Sequence, residues 1–466
     1  MSAHQHAAEA MNRRNFINRT GAGAASLIGS SILTASGWKA AFAASPGRNA
    51  LTLTTHEYFG DIEEQIDFPD DYEVHEMLMK GHNAPVLSRA DIEERFNNPT
   101  DTAPLRELAV GKRRAVITFD DLTRPTPVDQ ILPIIIEELK CGGVKDENIL
   151  LLASYGTHRM MHRDEARRKV GDGIVGKYAW INHNIHNNNL DVGKTSFGNR
   201  ITVNNHFMGA DIRVAIGGIK THASAGYGGG AKAVLPGVAS LETIAYNHGE
   251  IRSPGGKHNP STGALKVIEN EMRHDMEEAA VLAEVDFSVQ VVYNGKRQVV
   301  DVFPGDIVTA HHKACRMANQ HYRTPTFKNA DVVVASGYPQ NMQAHHAYDW
   351  HKRSLRQGGT AVLILQNPQA FSMWHGLSES NRWDHGTMSH WDKIPNKANL
   401  IPQAGHIIVF SQYFQQIDRN KFNTQTTQFA TSWAGVKTIL DKRHPGGASV
   451  AVYPYAPIQH EEVDMT

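Results

Sequence analysis

Short apolar runs alternate with amphipathic stretches through most of the chain. RAVITF (114–119) and NILLLAS (148–154) are continuous apolar segments of strand length, and VDQILPIIIEELKCGG between them carries helical spacing and ends in glycine. That order predicts a strand, a helix and a second strand. DIRVAIGG (211–218) predicts a further strand, and SLETIAYNH (240–248) a short helix after a glycine-rich loop. ADVVVASG, GTAVLILQ and GHIIVFSQ repeat the strand signal after residue 330, with helix candidates between them. Strands apolar on both faces and separated by helices are what a parallel sheet covered on both sides requires. The expected fold class is α/β: two α/β domains with largely parallel sheets and the site of chemistry in the cleft between them.

A polar, proline-containing stretch, HYRTPTFKNAD, separates the two series of strands, which places the N-terminal domain at 46–325 and a C-terminal domain closing over the site at 326–445. The segment ASVAVYPYAP reads as one more strand, within a C-terminal piece (446–466) that could return to the first domain. Residues 1–45 follow another rule. NRRNFIN, with Arg13 and Arg14, precedes the mildly apolar GAGAASLIGSSILTASGW and then AFA at 41–43. Charge, apolar run and small-residue cleavage site in that order predict a signal peptide, and the paired arginines resemble a twin-arginine export signal. The run is short and rich in glycine and serine for a membrane span, so the expectation is an exported, periplasmic protein with no stable span once the signal is removed.

Of 466 residues, 41% are hydrophobic, enough for a sizeable core. The 47 basic and 48 acidic side chains nearly cancel, which removes the electrostatic footprint of a nucleic-acid binder and points to a small ligand. Two cysteines, Cys141 and Cys315, allow one bridge at most and exclude a cysteine-based zinc site. The 26 histidines are the compositional outlier, and histidine is the side chain that exchanges protons or binds metal near neutral pH.

In open parallel sheets ligands bind beyond the carboxyl ends of strands, and four such places are unusually polar. DDLTRP carries Asp120, Asp121, Thr123 and Arg124; YGTHR carries Thr157, His158 and Arg159. IKTHASAGYGGGAK carries Lys220, His222 and Lys232, and YPQNMQAHHAYDW carries His345, His346 and Asp349. Converging loops would bring a guanidinium suited to carboxylate or phosphate, two histidines able to move protons, and a lysine beside the bare amides of Gly228, Gly229 and Gly230. The glycine loop lacks the spacing of a P-loop or a dinucleotide fingerprint, and His222 and His248 lack the i, i+4 spacing of a helical zinc pair. A non-catalytic exported binding protein for small organic acids and a histidine-metal hydrolase stand as the other readings.

The ordered set DLTRP, GTHR, KTHASAGYGGGAKAVLPG and NH closely resembles the nickel-dependent lactate racemase family, from about residue 51 to near the C-terminus. The resemblance implies a nickel-pincer nucleotide, a pyridinium-3-thioamide-5-thiocarboxylic acid mononucleotide with nickel, attached covalently at Lys232. It implies His248 as the protein ligand to the metal, His158 and His222 as the two catalytic bases, and Asp121, Arg124, Gly229 and Gly230 as cofactor contacts. Arg124, His346, Asp349 and Tyr338 are implied on the substrate side. The implied reaction inverts C2 of a 2-hydroxy acid by proton-coupled hydride transfer through a planar 2-keto acid. Cofactor-synthesis proteins would be partners before export. In lactate-specific members a Gln and, three residues on, a Lys help hold the substrate. An ungapped alignment from Gly337 puts His346 and Asp349 there. An Asp in place of a Lys repels a carboxylate, so a substrate larger than lactate, such as a sugar acid, is expected.

Overall fold

Ala115–Phe119, Ile149–Ala153 and Ile212–Gly218 lie side by side and parallel in the computed structural model, matching three of the apolar runs. Ala115, Ile117 and Phe119 enter one apolar cluster and Val116 another, the two-residue alternation of a pleated strand with both faces covered. The helix Val128–Cys141 returns the chain between the first two strands and buries Ile131, Leu132, Ile135 and Leu139. The full sheet has six strands, in the order Val299–Gly305, Phe287–Tyr293, Ile212–Gly218, Ala115–Phe119, Ile149–Ala153, Ala179–Asn182. Only the edge strand Val299–Gly305 runs antiparallel.

A second six-stranded sheet follows the order Thr427–Ala430, His406–Phe410, Leu355–Ile364, Ala330–Ser336, Ser449–Tyr453, Glu73–Glu76 and is parallel throughout. Val332 and Val334 pack on one face, Val333 and Ala335 on the other. The structure describes residues 49–369, 401–414, 419, 422 and 425–466. The expected export signal at 1–45 lies outside them, and no helix among the described residues is long and apolar enough to cross a membrane.

Two placements differ from the sequence expectation. Ser449–Tyr453 does not return to the first sheet but sits between Ala330–Ser336 and Glu73–Glu76, because Val450, Ala451, Val452 and Tyr453 are all apolar and need neighbours on both sides and both faces. The tail beyond it does reach the first half, where the Thr466 carbonyl accepts from the Val267 amide at 2.5 Å. The sixth strand of the second sheet comes from the polar N-terminal segment, so the two halves share chain at both ends. Cys141 is exposed and Cys315 buried, and both are free thiols.

One turn ties the halves together. His56, Tyr58 and Asp61 all have positive φ (60°, 62° and 44°), a costly conformation for residues with a Cβ that persists only where the surroundings hold it. Here the side chains do. Glu57 accepts from the Asn341 amide at 2.6 Å, the Tyr58 hydroxyl donates to the Arg124 carbonyl at 2.5 Å, and Asp61 accepts from the Tyr338 hydroxyl at 2.9 Å.

Candidate functional site

The three adjacent parallel strands end beneath one cleft, partly open to solvent. Asp121 and Arg124 enter it after Phe119, His158 after Ala153, His222 and Lys232 after Gly218, and His248 from the helical turn beyond. The loops at 120–124 and 154–158 and the glycine segment therefore meet because their strands are neighbours in the sheet.

Asp121 and His158 form a fixed pair. Asp121 is 3% exposed; its Oδ1 accepts from the Thr123 amide at 3.0 Å and hydroxyl at 2.5 Å, and its Oδ2 lies 2.8 Å from His158 Nδ1. Burial alone would raise this carboxyl, but His158, Arg124 and Thr123 together hold it well below the ordinary range. An ionised Asp121 accepts a proton at Nδ1 of His158, so the ring's basic lone pair sits at Nε2. Asp121 lines the cleft with its carboxylate engaged by His158 and Thr123, and so orients the His158 ring.

His222 is set the other way. Its Nδ1 accepts from the backbone amides of Ser224 (3.3 Å) and Ala225 (3.1 Å), so the neutral ring carries its proton on Nε2. Burial, then Lys232, Arg124, Lys220 and His346, push its pKa well below the usual histidine value. Across the cleft, one histidine is an acceptor and the other a donor.

Lys232 sits in the tight turn Gly230–Ala233 and is half-buried. Burial, Arg273 and Arg124 drive its pKa well below that of an ordinary lysine, which favours the neutral, nucleophilic form of the amine. His248 lies in a π-helical turn, Tyr246–Ile251. Its Nδ1 is 3.2 Å from the Ile244 carbonyl, which places the proton on Nδ1 and the lone pair on Nε2. The turn is clamped from behind, where Asn247 donates to Asp275 at 2.8 Å and to the Met272 carbonyl at 3.1 Å. A nucleophilic amine and a ligating imidazole that line one cleft fit the donor set a tethered nickel-pincer group requires.

Arg124 lines the cleft with Nη1 bound to the Thr123 hydroxyl at 2.8 Å. Its turn is pinned below by Lys169, which is fully buried, donates to the Arg124 carbonyl at 2.8 Å and pairs with Asp120 at 2.6 Å. Sequence reasoning missed Lys169, which sits in a helix, RDEARRKV, that reads as solvated because seven of its eight side chains are polar or short.

Several expected site residues lie elsewhere. Gly229 lines the cleft and has positive φ (72°), but a Cβ there would meet Gln290 and Ile219 at 2.8 Å. Gly230 (φ 58°) is buried beneath the His311 ring, 2.6 Å from where its Cβ would be, and does not line the cleft. The glycines answer to the protein's own packing. Tyr338 is 0% exposed, in the core with its hydroxyl taken by Asp61, so it is not a substrate contact. Asp349 is exposed and 3.4 Å from Lys352 Nζ. It does not line the cleft, which corrects its assignment to the substrate. His346 is half-buried and near enough to His222 to act on its charge. The side chain of His345 lies outside the described residues.

One further group of potential metal ligands stands among the described residues, Glu277, His311 and His312. All three members are engaged in hydrogen bonds: His311 Nε2 with the Gly228 carbonyl and His312 with Glu277, both at 2.9 Å.

Residues 59–258 match the family model described as the lactate racemase N-terminal domain. The chain is 32% identical over 336 residues to a lactate racemase of Thermoanaerobacterium thermosaccharolyticum, covering 70% of this chain and 76% of that protein. It is 32% identical over 282 residues to a lactate racemase of Lactiplantibacillus plantarum, covering 59% of this chain and 65% of that protein. Among solved structures, the lactate racemase apoprotein of the former organism superposes with a TM-score of 0.62 at 23% identity, over 88% of this chain and 99% of that one. A Thermotoga maritima protein superposes with a TM-score of 0.55 at 17% identity, over 81% and 98%.

Proposed function

The chain belongs to the lactate racemase family, and from that membership we propose that it inverts C2 of a 2-hydroxy acid with a nickel-pincer nucleotide held at Lys232 and His248. The observation that carries the reading is the convergence of those two residues in the cleft that also holds the Asp121–His158 pair and His222. When bound, the nickel-pincer group supplies a reversible hydride acceptor for the substrate's α-hydrogen.

The protein's own groups do the rest. His158 Nε2, its orientation fixed by Asp121, takes the hydroxyl proton of one enantiomer. His222 presents Nε2–H to the oxygen of the planar 2-keto acid. To deliver that proton without being left as an imidazolate, His222 must take a proton at Nδ1, giving up the two backbone hydrogen bonds that hold it. In the opposite direction the roles exchange, its emptied Nε2 acting as the base and His158 as the acid. Arg124 binds the anionic end of the substrate or cofactor.

For the substrate, the repulsion attributed to Asp349 no longer applies, because that carboxylate is turned away and paired. A hydroxyl-bearing acid larger than lactate retains support from His346 near His222 and from the polar lining, which includes Ser154, Tyr155 and Thr157. We place the enzyme outside the cytoplasm through the twin-arginine signal read at residues 13–17, loaded by cofactor-synthesis proteins before export. Cell fractionation with Arg13 and Arg14 each changed to Lys tests that location.

The test of function is intact-mass analysis of protein made in a cofactor-competent host, followed by chirality measurement on single stereoisomers of lactate, malate and gluconate. An adduct mapped to Lys232 together with inversion of one of these acids is the expected result. Inversion by protein whose Lys232 is unmodified refutes the mechanism.

A further inference from the structure

A group attached at Lys232 and ligated by His248 needs those two residues at a settled separation, yet neither segment is rigid by itself. Gly228, Gly229 and Gly230 precede Lys232, and a glycine run has more backbone freedom than any other. His248 lies in the π-helical turn Tyr246–Ile251, a geometry found mostly as single short turns. Both segments are gripped from behind by the same helix, Glu271–Leu282.

Arg273, in the first turn of that helix, is fully buried. Its fork meets the loop at three carbonyls. Nε and Nη2 donate to Ala225 at 3.2 and 2.9 Å, Nη2 donates also to Tyr227, and Nη1 donates to Gly229 at 3.3 Å. The Gly229 carbonyl accepts from the Lys232 amide as well, at 3.3 Å, so the guanidinium grips the peptide group on which the lysine's own turn closes. A buried cation needs its donors satisfied, and a planar guanidinium can reach several carbonyls at once where an ammonium cannot. Gln290 and His311 add to the hold, Gln290 accepting from the Gly230 amide at 2.7 Å and His311 meeting the Gly228 carbonyl at 2.9 Å. Two residues beyond Arg273 stands Asp275, also fully buried. It accepts from Asn247 at 2.8 Å, and the Met272 carbonyl accepts from the same Asn247 amide group at 3.1 Å. Asp275 is itself fixed by Thr195 at 2.6 Å and Asn199 at 2.9 Å. One helix therefore anchors the loop of Lys232 and, half a turn away, the turn of His248.

We propose, resting on the racemase reading above, that Glu271–Leu282 is the common frame that fixes the separation of the attachment amine and the ligating imidazole. Arg273 is the positioning residue for Lys232, and Asn247, held by Asp275, is the positioning residue for His248. Neither lines the cleft; each acts through the backbone it holds. A group joined to the protein at two points is presented correctly to His158 and His222 only while both points stay still, and a misplacement of about 1 Å at a reacting centre costs about 10²-fold in rate.

The variants are Arg273→Met, Arg273→Lys and Asn247→Ala. Leu139→Ala controls for lost stability, because Leu139 is buried in the helix Val128–Cys141, which supplies no residue to the cleft. Amide hydrogen exchange is followed by mass on cofactor-free protein. Holoenzyme is assayed for kcat per adduct, KM, and nickel per adduct after gel filtration, on a stereoisomer that wild type inverts. Arg273→Met should speed exchange at 225–234 and Asn247→Ala at 246–252, both leaving Ala115–Phe119 protected. Each should lower kcat per adduct about 10- to 100-fold with KM little changed, and each should retain less nickel per adduct. Arg273→Lys, with one ammonium in place of the fork, should fall between Arg273→Met and wild type. Leu139→Ala should lower the thermal midpoint and keep kcat, nickel and the exchange of both segments. Unchanged exchange in the two segments, faster exchange with kcat per adduct intact, or an equal loss in Leu139→Ala overturns the proposal and leaves Arg273 and Asn247 merely structural. If Arg273→Met does not fold, Arg273→Lys and Asn247→Ala decide by the same outcomes. If wild type carries no adduct and inverts nothing, the racemase reading has failed instead. Exchange alone then judges the frame: acceleration confined to the two segments supports it, and unchanged exchange refutes it.

Discussion

Replacing Asp121 by Asn is the sharpest single perturbation of the site. The side chain keeps its shape and its place, 3% exposed beneath Thr123, so the fold should tolerate it. What changes is the atom facing His158. With its carbonyl oxygen retained by the Thr123 amide and hydroxyl, as Asp121 Oδ1 is now at 3.0 and 2.5 Å, the substituted carboxamide would present its NH2 to His158 Nδ1. That donor forces the ring to accept at Nδ1 and to carry its proton at Nε2, the atom that must be empty to take the substrate's proton. The loss has two parts. A buried charge-assisted hydrogen bond at 2.8 Å contributes about 1.5–3 kcal/mol, or roughly 10- to 150-fold in rate at 1.36 kcal/mol per tenfold. Positioned acid-base catalysis as a whole contributes about 10²–10⁴-fold, which bounds the total. The expected outcome is kcat lower by about two to three orders of magnitude, KM within about threefold of wild type, and an unchanged adduct at Lys232. Asp121→Glu, which keeps the charge but moves it, should be impaired less than Asp121→Asn. A circular-dichroism or coupled-assay progress curve on each single enantiomer measures this directly. Near-normal kcat in Asp121→Asn with full adduct would show that His158 does not depend on Asp121 and that its tautomer has been misassigned.

Three other outcomes follow from the geometry. Lys232→Arg, which keeps a long basic side chain but removes the attachable amine, should abolish both the mass adduct and racemisation. His248→Ala should retain the adduct at Lys232 but lose nickel on gel filtration, as read by elemental analysis of the eluted protein. Glu57 should make stability fall with pH: its carboxyl holds a proton in the fold up to about 8 against an ordinary value near 4.5, so the folded state binds more protons than the unfolded one between those values, and stability declines there by up to ~1.4 kcal/mol per pH unit. Urea denaturation at about pH 5, 6.5 and 8 should show a flatter decline in Glu57→Gln; an equal slope in both proteins would falsify the placement of that proton.

How much of this could be read in the sequence depends on whether a residue's surroundings are local. The strands Ala115–Phe119, Ile149–Ala153 and Ile212–Gly218 were legible because burial on both faces leaves mostly apolar residues, and a run of five to seven positions of that kind has few other uses. The polar residues at their ends were legible as candidates for the same reason, since a parallel sheet concentrates its loops at the carboxyl edge. Glu73–Glu76, with the sequence EVHE, could not be found that way: it is an edge strand, and its pairing with Ser449–Tyr453 spans almost the whole chain. Asp349 shows a different failure. Counting from Gly337 aligns it with the site, yet helical spacing in YDWHKRS already opposes that, because Tyr348, His351 and Ser354 recur every three residues and are among the buried positions. That stripe turns Asp349 outward, where Lys352 meets it.

Lys220 was visible in the sequence as one more cation after a strand, and nothing in its neighbourhood of the chain distinguished it from a solvated turn residue. Its surroundings come from residues far away in sequence: Gln340, which binds it, and Glu57, whose charge bears on it. The same holds for Asp121 and His158, thirty-seven positions apart, and for Asn247 and Asp275 behind His248. Residue identity at strand ends establishes which chemical groups reach the cleft. Whether each acts as base, donor, ligand or anion site is decided by one hydrogen-bond partner contributed from elsewhere, and so the proton positions at His158, His222 and His248 are properties of the fold rather than of any motif.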